Sequence, residues 1–400
     1  MDWIEDFVTW TAGLPSPAIF RQWAAITAVG GALERRCYVM SAGRPVYPNL
    51  YVLLVATPGV GKNVIQEIHN LWFATKCFKV APNSITKAGL IDALAEAGTT
   101  IIKGTDLTEY HSMLVASAEF GVLVPAHDLD FLSNLNYIFD NPPSYVERRR
   151  WVNQGKETVV VHPQLTLLAG TQPGFLKSLL PEEAWTMGTT SRLIMVYAAD
   201  AVDVELHLEE HEKPNGYTAT NVKMEVELCD RLGKLRDFSG PFKWTSEAKH
   251  LAESWYPERH KSAPDHSKLT HYIPRRFVHV LKLAIISAAS RGEQIIRDMD
   301  FTRALDWLLE AEKRMPDIFR EMSGRSDAQI IEELHRAMWK LYRVKHEPIH
   351  QSLIYDFLKN QAPAYAIQRI LDVAERSHTL VREAGTELYR PKQRHERGVE

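Results

Sequence analysis

Cysteine is scarce in this sequence. There are three among 400 residues, Cys37, Cys77 and Cys229, far apart and with no C-x-x-C pair. That spacing excludes a disulfide framework and a cysteine-built zinc site, and it points to a reducing cytoplasm. An excess of one charge sign is also lacking. Forty-seven Lys and Arg stand against 50 Asp and Glu, a net charge of −3, so no global basic field recruits nucleic acid and any such binding must come from local patches. No apolar run approaches the length of about 18 residues that a membrane-spanning helix needs. The stretch Met1-Asp2-Trp3-Ile4-Glu5-Asp6 is acidic and lacks the basic n-region of a signal peptide. The sixteen histidines show no metal-ligand spacing, and there is no internal repeat or low-complexity tract. The composition, 45% hydrophobic and 24% charged, is that of a globular chain long enough for two or three domains.

Against that plain background one run carries chemistry. Val52-Leu53-Leu54-Val55 reads as a buried strand, Ala56-Thr57-Pro58-Gly59-Val60-Gly61-Lys62-Asn63 as a Gly-rich turn, and Val64-Ile65-Gln66-Glu67-Ile68 as the start of a helix. A strand, a Gly-rich loop and a helix with Lys at the junction form a phosphate cradle. The loop N–H groups and the helix N-terminus face anionic oxygens, and Lys62 neutralises the β- and γ-phosphates. Thr57, Pro58, Gly59, Val60, Gly61, Lys62 and Asn63 are therefore the expected nucleotide-binding residues. The usual pattern is G-x-x-x-x-G-K-[ST]; here Ala56 takes the first Gly position and Asn63 the place of the hydroxyl that ligates Mg²⁺.

Met113 to Gly121 reads as a second buried strand ending in a carboxylate, Glu119, where a nucleotide hydrolase orients the attacking water and holds Mg²⁺. Ala118 occupies the place of a second acid. Asn63 and Glu119 are the candidate metal ligands, and Asp128 and Asp130 lie close enough in sequence to compensate or to be a solvated loop. The strand Leu165 to Gly170 ends in Thr171-Gln172-Pro173, where Gln172, or alternatively Thr171, meets the γ-phosphate or the water. Between these strands, Gln154-Gly155 within Arg148-Arg149-Arg150 to Val161 signals a β-hairpin. Lys156 is expected near its tip and the three arginines at its base, either gripping a phosphate backbone or as solvated surface charge. Gly188-Thr189-Thr190-Ser191-Arg192 precedes the apolar strand Leu193 to Tyr197, and an Arg there suits an arginine finger acting on a neighbouring subunit's γ-phosphate.

The order of these motifs is phosphate loop, Glu-ended strand, hairpin, polar-tipped strand, then Ser-Arg before a strand. It resembles the AAA+ ATPase fold, in the branch with a hairpin before the sensor strand that includes superfamily III viral helicases and minichromosome-maintenance helicases. The segment from about Phe20 to Tyr197 also resembles an uncharacterised family of phage and prophage P-loop ATPases, through Arg35-Arg36, Tyr47 to Tyr51, Ser117 to Gly121, Leu165 to Pro173 and Ser191-Arg192. The resemblance departs at Asn63 and Ala118, which bears on hydrolysis and metal handling more than on nucleotide binding. It implies an α/β fold and divides the chain into an N-terminal helical region (1–44), an ATPase core (45–200), a linker and helical lid (201–322) and a C-terminal domain (323–400). It implies ATP and Mg²⁺ as cofactors, self-association as a ring, most simply a hexamer, single-stranded DNA in the pore, and the bacterial host cytoplasm. In such a lid, Arg275 or Arg276 in His271-Tyr272-Ile273-Pro274-Arg275-Arg276 contacts the γ-phosphate of the same chain; the alternative is that both cap a helix bundle.

The C-terminal stretch reads as three helices, Ala328 to Tyr342, Gln351 to Leu358 and Ala364 to Arg376. A hairpin around Ala384-Gly385-Thr386 follows, and together these elements make the order of a winged helix. Its third helix presents Tyr365, Gln368, Arg369 and Arg376, the candidate duplex contacts, and the tail adds Lys392, Arg394 and Arg397. From Arg325 onward there are 13 Lys/Arg against 11 Asp/Glu, so this domain serves DNA or protein contact. The chain is thus expected to be an ATP-driven DNA motor, a replicative helicase or initiator. The alternatives are a nucleotide-binding loader or scaffold that hydrolyses poorly, or a motor in DNA packaging or phage defence.

Overall fold

The structure is a computed structural model. It describes residues 2–82, 85–103, 106–149, 156–180, 185, 188–202, 219–322, 327–359, 361–362, 364–383 and 385–392. The chain is mixed α/β and divides into two compact units, Met1–Pro316 and Asp317–Glu400. The three segments expected ahead of the C-terminal domain therefore fold as one unit, and the division falls inside a long helix rather than in the polar stretch 323–326. Among the described residues no helix is long and apolar enough to cross a membrane.

The first unit opens with helices α1 (Trp3–Trp10) and α2 (Ala18–Ala32), then strands β1 (Cys37–Ser41), β2 (Arg44–Val46) and β3 (Tyr51–Val55). Helices α3 (Val64–Thr75) and α4 (Lys87–Glu96) lead to β4 (Gly98–Lys103) and β5 (Asp106–Ser117). After α5 (Phe120–Leu123) and α6 (Leu129–Phe139), β6 (Ser144–Arg149) and β7 (Lys156–Val161) form a separate antiparallel pair. Strand β8 (Pro163–Thr171), helices α7 (Pro173–Leu179) and α8 (Thr189–Arg192) and strand β9 (Leu193–Tyr197) complete the central sheet. The remainder is helical: α9 (Ala219–Lys234), α10 (Ser246–Glu258), α11 (Arg276–Ser290) and α12 (Asp298–Met322), with short strands β10 (Gly240–Pro241), β11 (Lys243–Trp244) and β12 (Ile295–Ile296) between them.

The central sheet has the order β4-β5-β8-β3-β9. Strands β5, β8, β3 and β9 are mutually parallel and β4 runs antiparallel to β5. Strands β3, β8 and β9 are buried along their whole length, as continuous apolar runs in a sheet covered on both faces should be. The register fixes the site. Val55 lies beside Thr171 and Tyr197, and Ser117 beside Ala169. The residues that follow β3, β5 and β8 therefore emerge at one edge, the carboxyl edge where parallel α/β sheets bind ligands.

The N-terminal and helical segments join this unit through Asp2. Its carboxylate caps α1 by accepting from the Ile4 and Glu5 N–H groups, and it also accepts from Arg303 and Ser290. Burial pushes this carboxyl up, but the bonds from Arg303 and Ser290 outweigh that and hold it below the usual carboxylate range.

The second unit contains α13 (Asp327–Lys345), β13 (Ile349–His350), α14 (Gln351–Leu358), α15 (Ala364–Arg376), β14 (Leu380–Arg382) and β15 (Leu388–Pro391). The strands form an antiparallel sheet of order β13-β15-β14. Its core gathers Ile330, Leu334, Met338, Ile354, Ile370 and Tyr389. The apolar faces of three short helices close over one small sheet, as their helical periodicity requires.

Candidate functional site

The Gly-rich loop leaves the carboxyl end of β3 and enters α3. Gly59 and Gly61 have φ of +88° and +63°, a region open to Gly at no cost. Val60 is buried and anchors the loop, whereas Pro58, Gly59 and Asn63 are exposed. Lys62 Nζ donates to the Ala56 carbonyl at 3.0 Å and the Thr57 carbonyl at 3.4 Å. Burial pulls the Lys62 ammonium below its ordinary range, and the Glu119 carboxylate opposes that pull. Gly170 on β8 makes room for this lysine. A Cβ there would lie 2.4 Å from the Ala118 carbonyl oxygen and 3.3 Å from Lys62 Cδ.

Glu119 is exposed just beyond β5, and the Ser117 hydroxyl donates to its backbone carbonyl. Gln172 is half-buried beyond β8. The Thr171 hydroxyl is buried and has no hydrogen-bond partner among the described residues. Lys62, Glu119, Thr171 and Gln172 are thus brought to one edge of one sheet, a Gly-lined cradle with an orphaned hydroxyl at its border, which fits a nucleotide's phosphates. Among the described residues no three His, Cys, Asp or Glu side chains cluster as a metal site. Asn63 and Glu119 would therefore hold Mg²⁺ only together with phosphate oxygens and water, the usual manner for that ion. Asp128 does not compensate for Ala118: its carboxylate caps α6 by accepting from the Phe131 N–H at 2.8 Å.

The arginines lie elsewhere. Arg192 precedes Leu193, which pairs with Tyr51 at the start of β3, so it belongs to the amino edge of the sheet. Five strand residues, about 16 Å at 3.3 Å each, separate it from its own phosphate loop. Arg192 Nη2 and Arg275 Nη1 both bond the Asp140 carboxylate, at 2.5 Å and 2.7 Å, and Arg192 Nη1 donates to the Gly188 carbonyl. Burial pushes the Asp140 carboxyl up, but the bonds from Arg275 and Arg192 prevail and hold it below the usual carboxylate range.

Two expectations are corrected here. Arg275 lies away from the Gly-rich loop of its own chain, because Asp140 holds it at the opposite edge of the sheet. Arg276 is unavailable to any nucleotide: it is fully buried, its Nε and Nη2 donate to Glu312 at 2.7 Å and 2.6 Å, and it also donates to the Arg259 and Ser262 carbonyls.

Below Asp140 the same edge is built from buried polar groups. Lys282 Nζ donates to the Asn49 backbone and side-chain oxygens at 2.8 Å and 2.7 Å, and burial drives this ammonium well below its ordinary range. His279 Nε2 bonds the Ser191 carbonyl at 2.9 Å, tying α11 to the residue before Arg192. Burial drives the His279 imidazole down to about 3, against the pull of the Ser191 carbonyl and with Lys282 and Arg275 adding to the fall. A histidine kept neutral in the fold but protonated when unfolded stabilises the fold fully above its unfolded pKa of about 6.5, and that contribution is lost as pH falls toward 3. Unfolding free energies from urea titrations between pH 7 and pH 4 should therefore fall for the parent chain by roughly 1 kcal/mol per pH unit more than for His279→Gln, which keeps a donor for Ser191. Equal slopes would refute the assignment.

The candidate nucleic-acid residues are dispersed. Lys156 begins β7 opposite Arg149, and Arg148 lies opposite Glu157, while Ser144 and Val161 close the other end. Arg148 and Arg149 thus lie at the end of the hairpin opposite Ser144 and Val161, and not at its base. Arg150, Gln154 and Gly155 lie outside the described residues. In the second unit, Arg369 and Arg376 are exposed on α15, and Arg369 pairs with Asp327 at 3.1 Å. The same face carries Asp372, which accepts from Gln368, so its charge is mixed. Arg394 and Arg397 lie outside the described residues.

Reasoning from the sequence missed Asp140 and Gly170. A glycine ending an apolar strand does signal a close approach; nothing near Asp140 in the sequence marks it. No protein-family model matches this chain, and no curated protein matches it.

Proposed function

We propose that this chain is an ATP-dependent motor of the AAA+ kind, in which each nucleotide lies between two subunits. The observation that carries the reading is the division of labour across one sheet. Lys62, Glu119, Thr171 and Gln172 line the carboxyl edge, and Arg192 lies at the amino edge, out of reach of its own loop. An arginine so placed serves a neighbouring copy, and a head-to-tail contact of that kind closes into a ring. Arg275, held beside Arg192 on Asp140, is presented to the same neighbour.

In this reading the loop amides and Lys62 bind ATP, Glu119 orients water, Gln172 or Thr171 senses the γ-phosphate, and Arg192 stabilises transition-state charge. Bound with ATP, Mg²⁺ neutralises charge on the β- and γ-phosphates. The β6–β7 hairpin, with Arg148 and Lys156 toward its connected end, supports contact with single-stranded DNA. Three helices followed by an antiparallel hairpin in the second unit support a winged helix. A replicative helicase or initiator is the function that joins these parts.

The test is steady-state ATP hydrolysis by the full chain and by Lys62→Ala, across protein concentrations, with and without single-stranded DNA. Hydrolysis that needs Lys62, rises cooperatively with concentration and rises with DNA is expected. The second reading, a loader or scaffold that binds nucleotide without turnover, is favoured by Asn63, whose side chain makes no capping bond, and by Ala118. Lys62-dependent binding with no hydrolysis under any condition would select it.

A further inference from the structure

Asp140 stands where the ends of three segments meet, and its carboxylate engages two of them in the same way. Arg192, at the end of α8, donates through Nη2 to Oδ2 at 2.5 Å and through Nε to Oδ1 at 3.3 Å. Arg275, just before α11, donates through Nη1 to Oδ1 at 2.7 Å and through Nη2 to Oδ2 at 3.4 Å. Each guanidinium thus offers two N–H groups to the same two oxygens. That fork fixes the plane of an arginine as well as its place. Two guanidinium groups on one carboxylate also leave a net positive charge at this edge of the sheet.

The backbone that carries this carboxylate is held from both sides. Asp140 ends α6, and Asn141 turns the chain with a φ of +53°, a left-handed conformation that Asn tolerates better than most residues. Asn141 Nδ2 donates to Asn49 Oδ1 and to the Phe139 carbonyl, both at 2.9 Å. The Phe139 ring packs edge-on against Tyr51, the first residue of β3, with centroids 4.9 Å apart. Both neighbours of Asp140 are therefore tied to the amino end of β3, while its own side chain is 42% exposed.

Ion pairs this exposed contribute little to stability. They do order the side chains that form them. A loose arginine must lose its rotamer freedom before its guanidinium can meet a developing charge, and one already held needs no reorganisation at that moment. We propose that Asp140 is the positioning residue of the site formed between two copies. It holds Arg192 and Arg275 as one two-armed receptor for the terminal phosphate of the neighbouring copy's nucleotide. The proposal rests on the reading above that Arg192 serves a neighbour. It gives Asp140 an effect on turnover without contact with the nucleotide and without any effect on the loop of its own chain.

The test uses the full chain as Asp140→Asn, which keeps the size of the side chain and one acceptor oxygen but gives up the charge. Binding of a fluorescent non-hydrolysable ATP analogue and steady-state ATP hydrolysis are measured for this variant, the parent, Arg192→Ala and Lys62→Ala. Hydrolysis is measured again for an equal mixture of Asp140→Asn and Lys62→Ala subunits. Asp140→Asn should bind the analogue as the parent does. Its kcat should fall about 10- to 100-fold, the scale of a catalytic group displaced by about 1 Å. In the mixture, Lys62→Ala subunits bring an intact Asp140, Arg192 and Arg275 to intact loops at roughly one junction in four. Turnover should then climb to about a quarter of the parent's. A role of Asp140 confined to the fold of its own subunit predicts the opposite, since no neighbour repairs it. A mixture no faster than Asp140→Asn alone therefore overturns the proposal. Analogue binding lost in Asp140→Asn overturns it too, as does a kcat equal to the parent's beside an inactive Arg192→Ala. If the parent hydrolyses no ATP, or Arg192→Ala hydrolyses at the parent's rate, the reading of Arg192 itself fails and this proposal with it.

Discussion

Arg192→Ala should abolish ATP hydrolysis while leaving ATP binding intact. Transition-state arginines of this kind contribute about 10³- to 10⁵-fold in rate, so turnover should drop at least to the lower end of that range. In the proposed reading the effect arises in a neighbouring copy, since Arg192 and the loop of the same chain lie at opposite edges of the sheet. Mixing supplies the decisive measurement. Arg192→Ala subunits keep an intact loop, and Lys62→Ala subunits keep an intact arginine. Each alone should be inactive. Together they form some complete junctions, roughly one in four by random head-to-tail assembly, and hydrolysis should return in proportion. Loss of ATP binding in Arg192→Ala, or a mixture as inactive as its parts, would falsify the trans assignment. The fold should tolerate the change, because Asp140 keeps its bonds to Arg275 and is itself partly exposed.

What the sequence made legible was what neighbours along the chain decide. The strand, Gly-rich loop and helix could be read because they follow one another within some seventeen residues. Glu119 and Gln172 followed from it, since parallel strands that end in polar residues bring those ends to one edge. The helices of the second unit were legible for the same reason. The third was expected over Ala364 to Arg376 and spans those residues, while the first runs to Lys345, one turn beyond expectation.

Contacts between distant segments left no such trace. Asp140 meets partners 52 and 135 positions away, and Ser16 meets a glycine 45 positions on. Cross-strand register left no trace either: Arg148 and Arg149, expected at the hairpin's base, pair with Glu157 and Lys156 at the end away from Ser144 and Val161. Arg275 and Arg276 show the limit most clearly. Adjacent residues at a helix start point about 100° apart, so one meets Asp140 and the other Glu312. Only the packing of α11 determines which.

That packing seals Arg276 and Glu312 together as a buried ion pair. Removing one partner of a buried ion pair strands the other charge, at a cost of about 3–5 kcal/mol. Arg276→Met should therefore lower the unfolding midpoint of the full chain on the order of 10 °C. Glu312 is nearly fully buried, and burial already pushes its carboxyl above the usual range despite the hydrogen bonds from Arg276. Without the guanidinium it would take up a proton instead of remaining charged. Adding Glu312→Leu to Arg276→Met should then recover most of the loss, because an apolar pair of similar volume has no desolvated charge to satisfy. Calorimetry or urea unfolding of the four proteins closes this cycle. If the double variant were no more stable than Arg276→Met, the bonds from Arg276 to the Arg259 and Ser262 carbonyls would be the larger contribution, and Arg276 would act chiefly by closing the chain around α11. If Arg276→Met left stability unchanged, the buried pair would carry no weight in the fold, and the assignment of Arg276 to packing instead of nucleotide contact would lose its energetic basis.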